Sequence, residues 1–193
     1  MTFAVTGRDA LLIVDVQTDF LPGGSLAVPR GEEVVAALNR YLALARRGRL
    51  PVFASRDWHP RDHCSFRAQG GPWPEHCVAG TPGAEFSPAL HLRPDAVVVS
   101  KATRADADAY SAFSGTDLAQ QLRERGVKRL LVGGLATDYC VLNTVRDALR
   151  LGFEVLLLAD AVRAVDVKPG DGERAEHEML AAGAVAVGIG DFD

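Results

Sequence analysis

Three cysteines in 193 residues, with no C-x-x-C pair among Cys64, Cys77 and Cys140, supply neither a disulfide framework nor a dithiol redox motif. A reducing compartment suits them, and a cytoplasmic location is the expectation. Long apolar runs are also missing. No segment approaches the roughly 20 residues that span a bilayer, and the N-terminus, MTFAVTGRDALLIVDV, lacks the ordered basic, apolar and cleavage regions of a secretory signal. Positive charge is in short supply, with 21 Lys and Arg against 25 Asp and Glu and the signs interspersed, so no basic stripe offers itself to nucleic acid. No G-x-G-x-x-G follows the first apolar run, where Asp15-Val16-Gln17 stands instead, and a dinucleotide site has no support. Neither nucleic acid nor a membrane is expected as a partner. A small-molecule substrate is, and self-association into a homo-oligomer is left open.

An apolar fraction of 48% and a charged fraction of 24% are those of an ordinary globular chain, and the length suffices for one well-buried core. Residues 1–193 therefore read as a single domain. Residues 10–16 (ALLIVDV) form a near-continuous apolar run, as in a strand covered on both faces. A helix over 32–47 puts Val34, Val35, Leu38, Leu42 and Ala45 on one stripe, with acids first and Arg46 and Arg47 last, as the helix dipole favours. Further strands are expected over 51–55, 96–101, 129–132, 154–158 and 185–189, and further helices over 117–125, from about Asp138 or Tyr139 onward, and over 172–182. Strands alternating with helices imply right-handed crossovers and a mainly parallel, Rossmann-like sheet of six strands in a three-layer α/β/α sandwich.

In such sheets ligands bind beyond the carboxyl ends of the strands. Asp15, Lys101 and Cys140 each fall at or just past such an end, on three different strands. Cys140 follows a short strand, the Gly-Gly punctuation of Gly133 and Gly134 and a tight turn, which places it in the first turn of a helix. There the unpaired N–H groups favour a thiolate and can receive an oxyanion. A carboxylate beside a thiol can take its proton and return it to a leaving amine, and a lysine can steady both charges. Singly, each residue has an ordinary reading: a small buried hydrophobe, a turn residue, a solvated strand end. Their coincidence on one edge favours chemistry.

The stretch 56–94 is long, irregular and rich in Pro, Gly, His and Trp, which in a compact chain marks a functional loop. Asp57 follows a strand directly, with His59, His63 and His76 in the same loop. One carboxylate and two histidines make an open site for zinc, iron or manganese. The pairs His63-Cys64 and His76-Cys77 offer the alternative of a closed zinc site that merely pins the loop. Phe20, Trp73 and Tyr110 fall in loops at the same edge, where they could sandwich a flat ring.

DVQTDF around Asp15, RDWHPRDHCSF from Arg56, GPWPEHCVAGTPGAEF from Gly71, DAYSAF from Asp108 and GLATDYCV from Gly134 together resemble the nicotinamidase/pyrazinamidase branch of the isochorismatase-like cysteine hydrolases. The resemblance runs from residue 10 into the last strand and implies hydrolysis of nicotinamide to nicotinate and ammonia, with pyrazinamide as a further substrate. By position it makes Asp15 the general base and acid, Lys101 the electrostatic partner and Cys140 the nucleophile. It makes Asp57, His59 and His76 ligands of one divalent metal ion, zinc before iron or manganese, with His63 as an additional candidate. It also sets Phe20, Trp73 and Tyr110 around the pyridine ring, a cis peptide between Leu135 and Ala136, and the backbone N–H groups of Ala136 and Cys140 at the carbonyl oxygen. The lysine is commonly followed by glycine in this family; Ala102 takes that place here.

Overall fold

The computed structural model describes residues 2–192. Six strands form one sheet: β1 (Asp9–Val14), β2 (Val52–Asp57), β3 (Val97–Lys101), β4 (Arg129–Leu135), β5 (Glu154–Arg163) and β6 (Val185–Val187). Their order is β3-β2-β1-β4-β5-β6, and every neighbouring pair is parallel. Four helices connect them: α1 (Glu32–Gly48), α2 (Leu118–Glu124), α3 (Leu142–Arg150) and α4 (Asp171–Ala181).

The side-chain period of two in β1 sorts the core. Leu11 and Ile13 face α1, meeting Val34, Leu38, Tyr41 and Leu42. Ala10, Leu12 and Val14 face the opposite layer, packing with Leu118 and Leu122 of α2, Val145 and Ala148 of α3, and Ala175 and Met179 of α4. Chain direction explains the layering. From β1 the chain steps outward to β2 through α1; from β3 it returns across the sheet to β4 through α2 and then steps outward the other way. Right-handed crossovers in opposite directions place their helices on opposite faces, so α1 stands alone on one face. The reversal lies between β1 and β4, which are neighbours, and the crevice beyond their carboxyl ends is the switch point of the sheet.

Two expectations are corrected around β4. Gly133 and Gly134 do not end the strand, which continues through them to Leu135, with an irregularity in its pairing to β5 between Val132 and Gly134. Glycine is needed because β4 presses on β1: at Gly134 φ is +132°, and a Cβ there would lie 2.0 Å from the Val14 carbonyl oxygen. Cys140 is likewise not in the first turn of a regular α-helix. It sits in a π-helical turn, Thr137–Val141, which precedes α3, and the Val141 N–H reaches back five residues to Ala136 O. Such turns recur at functional sites because they rotate side chains off the helical path. The Leu135–Ala136 peptide is cis. Among smaller differences, β5 runs five residues past its expected end and β6 stops at Val187.

Candidate active site

Asp15 directly follows β1 with a left-handed φ of 49°, which turns its buried carboxylate out of the strand path. Its N–H donates to Ser55 O at 3.1 Å, and Ser55 Oγ donates to its Oδ1 at 2.7 Å. Lys101, the last residue of β3, is buried too, and Nζ lies 3.0 Å from Asp15 Oδ2, 3.5 Å from Cys140 Sγ, 2.5 Å from Asp57 Oδ1 and 3.0 Å from Ala109 O. One ammonium thus joins two carboxylates and a thiol from four strand ends. Apart from that ion pair, Asp15 Oδ2 has no hydrogen-bond partner and is free to face the thiol.

Burial controls the protonation of this group. It pushes the Cys140 thiol well above its usual range, and although Lys101 opposes this, the Asp15 and Asp57 charges reinforce it. Desolvation and the two neighbouring carboxylates thus favour the thiol, against the preference for a thiolate that a helix end would give. Burial also raises Asp15, against the pull of Lys101 and the Ser55 hydrogen bond. Burial works against the Lys101 charge, but Asp15 and Asp57 more than offset it and hold the ammonium well above its usual range. Asp57 is held low by Lys101 and His59 despite burial. The set is an ammonium between a low carboxylate and a proton-accepting one, with a thiol ready to lose its proton to the latter.

Asp57, His59 and His76 each offer a ligand atom within 4.8 Å of the others. His59 Nδ1 bonds to Ala102 O at 3.2 Å and His76 Nδ1 to Pro74 O at 2.8 Å. A carbonyl only accepts, so both rings carry the proton on Nδ1 and turn the Nε2 lone pair inward. His59 Nε2 is buried without a partner, 3.6 Å from Asp57 Oδ2. Burial lowers His76 toward the neutral form a ligand needs. An orphaned ring nitrogen facing a carboxylate and a second imidazole fits a divalent cation such as zinc, with positions left open. His63 lies outside the trio. It stacks on His59 at 4.1 Å between ring centroids, and both its nitrogens are engaged, with Ser65 Oγ and Ala107 O. Cys64 and Cys77 join no cluster of ligating atoms among the described residues, so the closed Cys/His alternative is absent there. Ala102, where glycine is common in the family, takes a left-handed φ of 51° and still delivers its carbonyl to His59.

Between the Cys140 thiol and the Asp57–His59–His76 trio lies a pocket of about 390 Å³, open solvent at its mouth included. Phe20, Trp73, Tyr110, Ala136, Cys140 and His76 all line it. Trp73 Nε1 donates to Tyr110 OH at 3.0 Å, which fixes both rings. Several contributors had no signal in the sequence. Tyr139 meets Trp73 edge-on at 5.1 Å, and Leu26, Val28 and Val165 close the wall from distant loops. The Asp138 carboxylate accepts the N–H groups of Val165 and Asp166, tying that wall to the Cys140 turn. Ser55 is another such residue; a small polar side chain inside a strand gives no hint that it holds Asp15.

Sheet order and switch-point site together are those of a doubly wound α/β protein. Residues 9–189 match the Isochorismatase domain, and the chain belongs to that family. It is 40% identical over 205 residues to the nicotinamidase of Escherichia coli (strain K12), covering 95% of this chain and 96% of that protein. The crystal structure of the pyrazinamidase of Pyrococcus horikoshii in complex with zinc superposes with a TM-score of 0.90 at 51% identity, covering 94% of this chain and 99% of that one. PnC1 from L. infantum in complex with nicotinate superposes with a TM-score of 0.92 at 38% identity, covering 100% and 99%.

Proposed function

We propose that this protein is an amidohydrolase that converts nicotinamide to nicotinate and ammonia through a thioester on Cys140. The observation that carries the reading is Asp57: one residue joins the Lys101–Asp15–Cys140 group on one side and the Asp57–His59–His76 trio on the other, with a pocket lined by Phe20, Trp73 and Tyr110 between. A divalent cation held by the trio, zinc before iron or manganese, supplies a Lewis-acid anchor for the pyridine nitrogen. Phe20, Trp73 and Tyr110 clamp the ring and keep water from its faces, which sets the carboxamide carbon near Cys140 Sγ.

Asp15 takes the thiol proton as sulfur forms its bond to the carbonyl carbon and the C=O electron pair moves to oxygen. The N–H groups of Ala136 and Cys140 receive that oxyanion. Lys101 stays protonated, lowers the cost of the thiolate and orients Asp15. When the tetrahedral adduct collapses, the C–N bond breaks and Asp15 returns its proton to the departing nitrogen, releasing ammonia. Asp15 then deprotonates a water that adds to the thioester; the C–S bond breaks, the sulfur regains a proton, and nicotinate leaves. Pyrazinamide places a ring nitrogen meta to its carboxamide, as nicotinamide does, and is a second substrate.

Residues 1–193 act as one hydrolase domain with a metal-binding loop over 56–94. No helix among the described residues is long and apolar enough to cross a membrane, and three free cysteines suit the reducing cytoplasm. Ammonia release from nicotinamide by the zinc-loaded protein, before and after chelation, tests the reading. Release that is lost with the metal and regained on adding it back supports it, whereas no release from folded, zinc-loaded protein contradicts it.

A further inference from the structure

Gln17 lies two residues beyond Asp15 and takes no part in the chemistry above, yet its side chain is completely buried. Oε1 accepts the Asp57 N–H at 2.8 Å, while Nε2 donates at 2.8 Å to both Asp57 O and Ala84 O. The orientation of the amide is settled by chemistry, since an N–H only donates and a carbonyl only accepts. Both backbone groups of Asp57 are thereby paired by one side chain.

Sheet register explains why this is needed. The pairing of β1 with β2 ends at Val14 and Ser55, and beyond it only the Asp15 N–H still reaches Ser55 O. Asp57 projects past that end. On its other edge it is still paired with Lys101 of β3, but on the β1 edge no strand remains. The Gln17 amide substitutes for the missing strand. Its own backbone is fixed in turn, with the Gln17 N–H donating to Asp15 O at 2.9 Å and the Thr18 N–H to Glu85 O at 2.9 Å. The backbone of Asp57 sets the direction of its carboxylate, and that carboxylate must serve two neighbours at once, Oδ1 toward Lys101 and Oδ2 toward His59 Nε2.

We propose that Gln17 is a positioning residue that locks Asp57 between Lys101 and the metal, and so sets the affinity of the site for its cation. The inference rests on the proposed metal role of Asp57. Orienting groups behind metal ligands change affinity by about 10–100-fold, and a loss of that size is expected for Gln17→Met, which keeps the volume and removes all three hydrogen bonds. Gln17→Asn retains the amide but, one methylene shorter, cannot span both Asp57 groups, and it carries the test if the Met variant does not fold.

The experiment is zinc titration of the full chain against a chromophoric chelator, with thermal melting of the same samples. Leu90→Ala, a core truncation at a residue that offers no ligand atom, serves as the control for instability alone. Weaker zinc binding in a folded Gln17 variant, with ammonia release regained at higher zinc and unchanged affinity in Leu90→Ala, supports the inference. A folded Gln17 variant that melts earlier but binds zinc as the wild type does overturns it and makes the residue merely structural. Wild-type protein that binds no zinc overturns the metal reading as well, so the two failures are distinguishable.

Discussion

Ser55→Ala removes a single oxygen and tests how the site controls the proton on Asp15. Ser55 Oγ donates to Asp15 Oδ1 at 2.7 Å in a fully buried setting, while the Lys101 ammonium lies 3.0 Å from Oδ2. A hydrogen bond to a charged group contributes about 1.5–3 kcal/mol, which corresponds to about 10–150-fold in an equilibrium constant. The bond favours ionised Asp15 over its protonated form and is one of the forces opposing the rise that burial imposes. Without it Asp15 holds its proton more tightly, and a smaller share of the enzyme can accept the Cys140 proton. In a pH series of kcat/KM on nicotinamide, the acid limb therefore moves to higher pH in the variant. On the limb the loss reaches about tenfold or more; on the plateau above it the loss is much smaller, because a more basic Asp15 remains a competent acceptor. A loss of equal size at every pH, with the limb in place, would refute this account of Ser55.

Three further outcomes follow from the geometry. The Glu33 carboxyl is held down to about 2, against 4.5 for an ordinary glutamate, by the hydrogen bond from Arg30 and then by that from Arg163. A lowered carboxyl contributes stability that is complete above 4.5 and lost as pH falls toward 2, so the Tm advantage of the wild type over Glu33→Gln should vanish across that window; an advantage constant with pH contradicts it. Gly134→Ala would drive a Cβ onto the Val14 carbonyl in a backbone conformation that alanine avoids, and a loss of about 4 kcal/mol or more in urea unfolding is expected; a loss below about 1 kcal/mol would mean that β4 can move away from β1. His59→Ala removes the orphaned ring nitrogen and should abolish stoichiometric zinc binding while the far-ultraviolet circular dichroism stays unchanged; retained zinc would place the metal elsewhere.

The layers of this fold are legible in the sequence because each strand and helix carries its own period: Leu11 and Ile13 against Leu12 and Val14 already state which side chains share a face. Polar residues at strand ends, Asp15, Lys101 and Asp57, are legible for the same reason, since an apolar run that stops on a charge has reached an edge. What escaped depends on contacts across the sheet. Gly133 and Gly134 look like the end of a strand until β1 is seen to lie against them. The shift of the Cys140 thiol comes from its burial first, then from Lys101 and from two carboxylates that are 125 and 83 positions away in the chain. Gln17 and Ser55 act through hydrogen bonds that span 40 positions each. Residues such as Val165 line the pocket only because Asp138 draws a distant loop across it.

The central claim is that Cys140 becomes acylated during turnover. Zinc-loaded protein mixed with excess nicotinamide, quenched in acid within one turnover and digested, should yield the peptide containing Cys140 with a nicotinoyl group on sulfur, and Cys140→Ala should yield neither adduct nor ammonia. Ammonia release by Cys140→Ala at a substantial fraction of the wild-type rate, with no adduct on the wild-type peptide, would contradict the covalent route and leave the thiol a bystander.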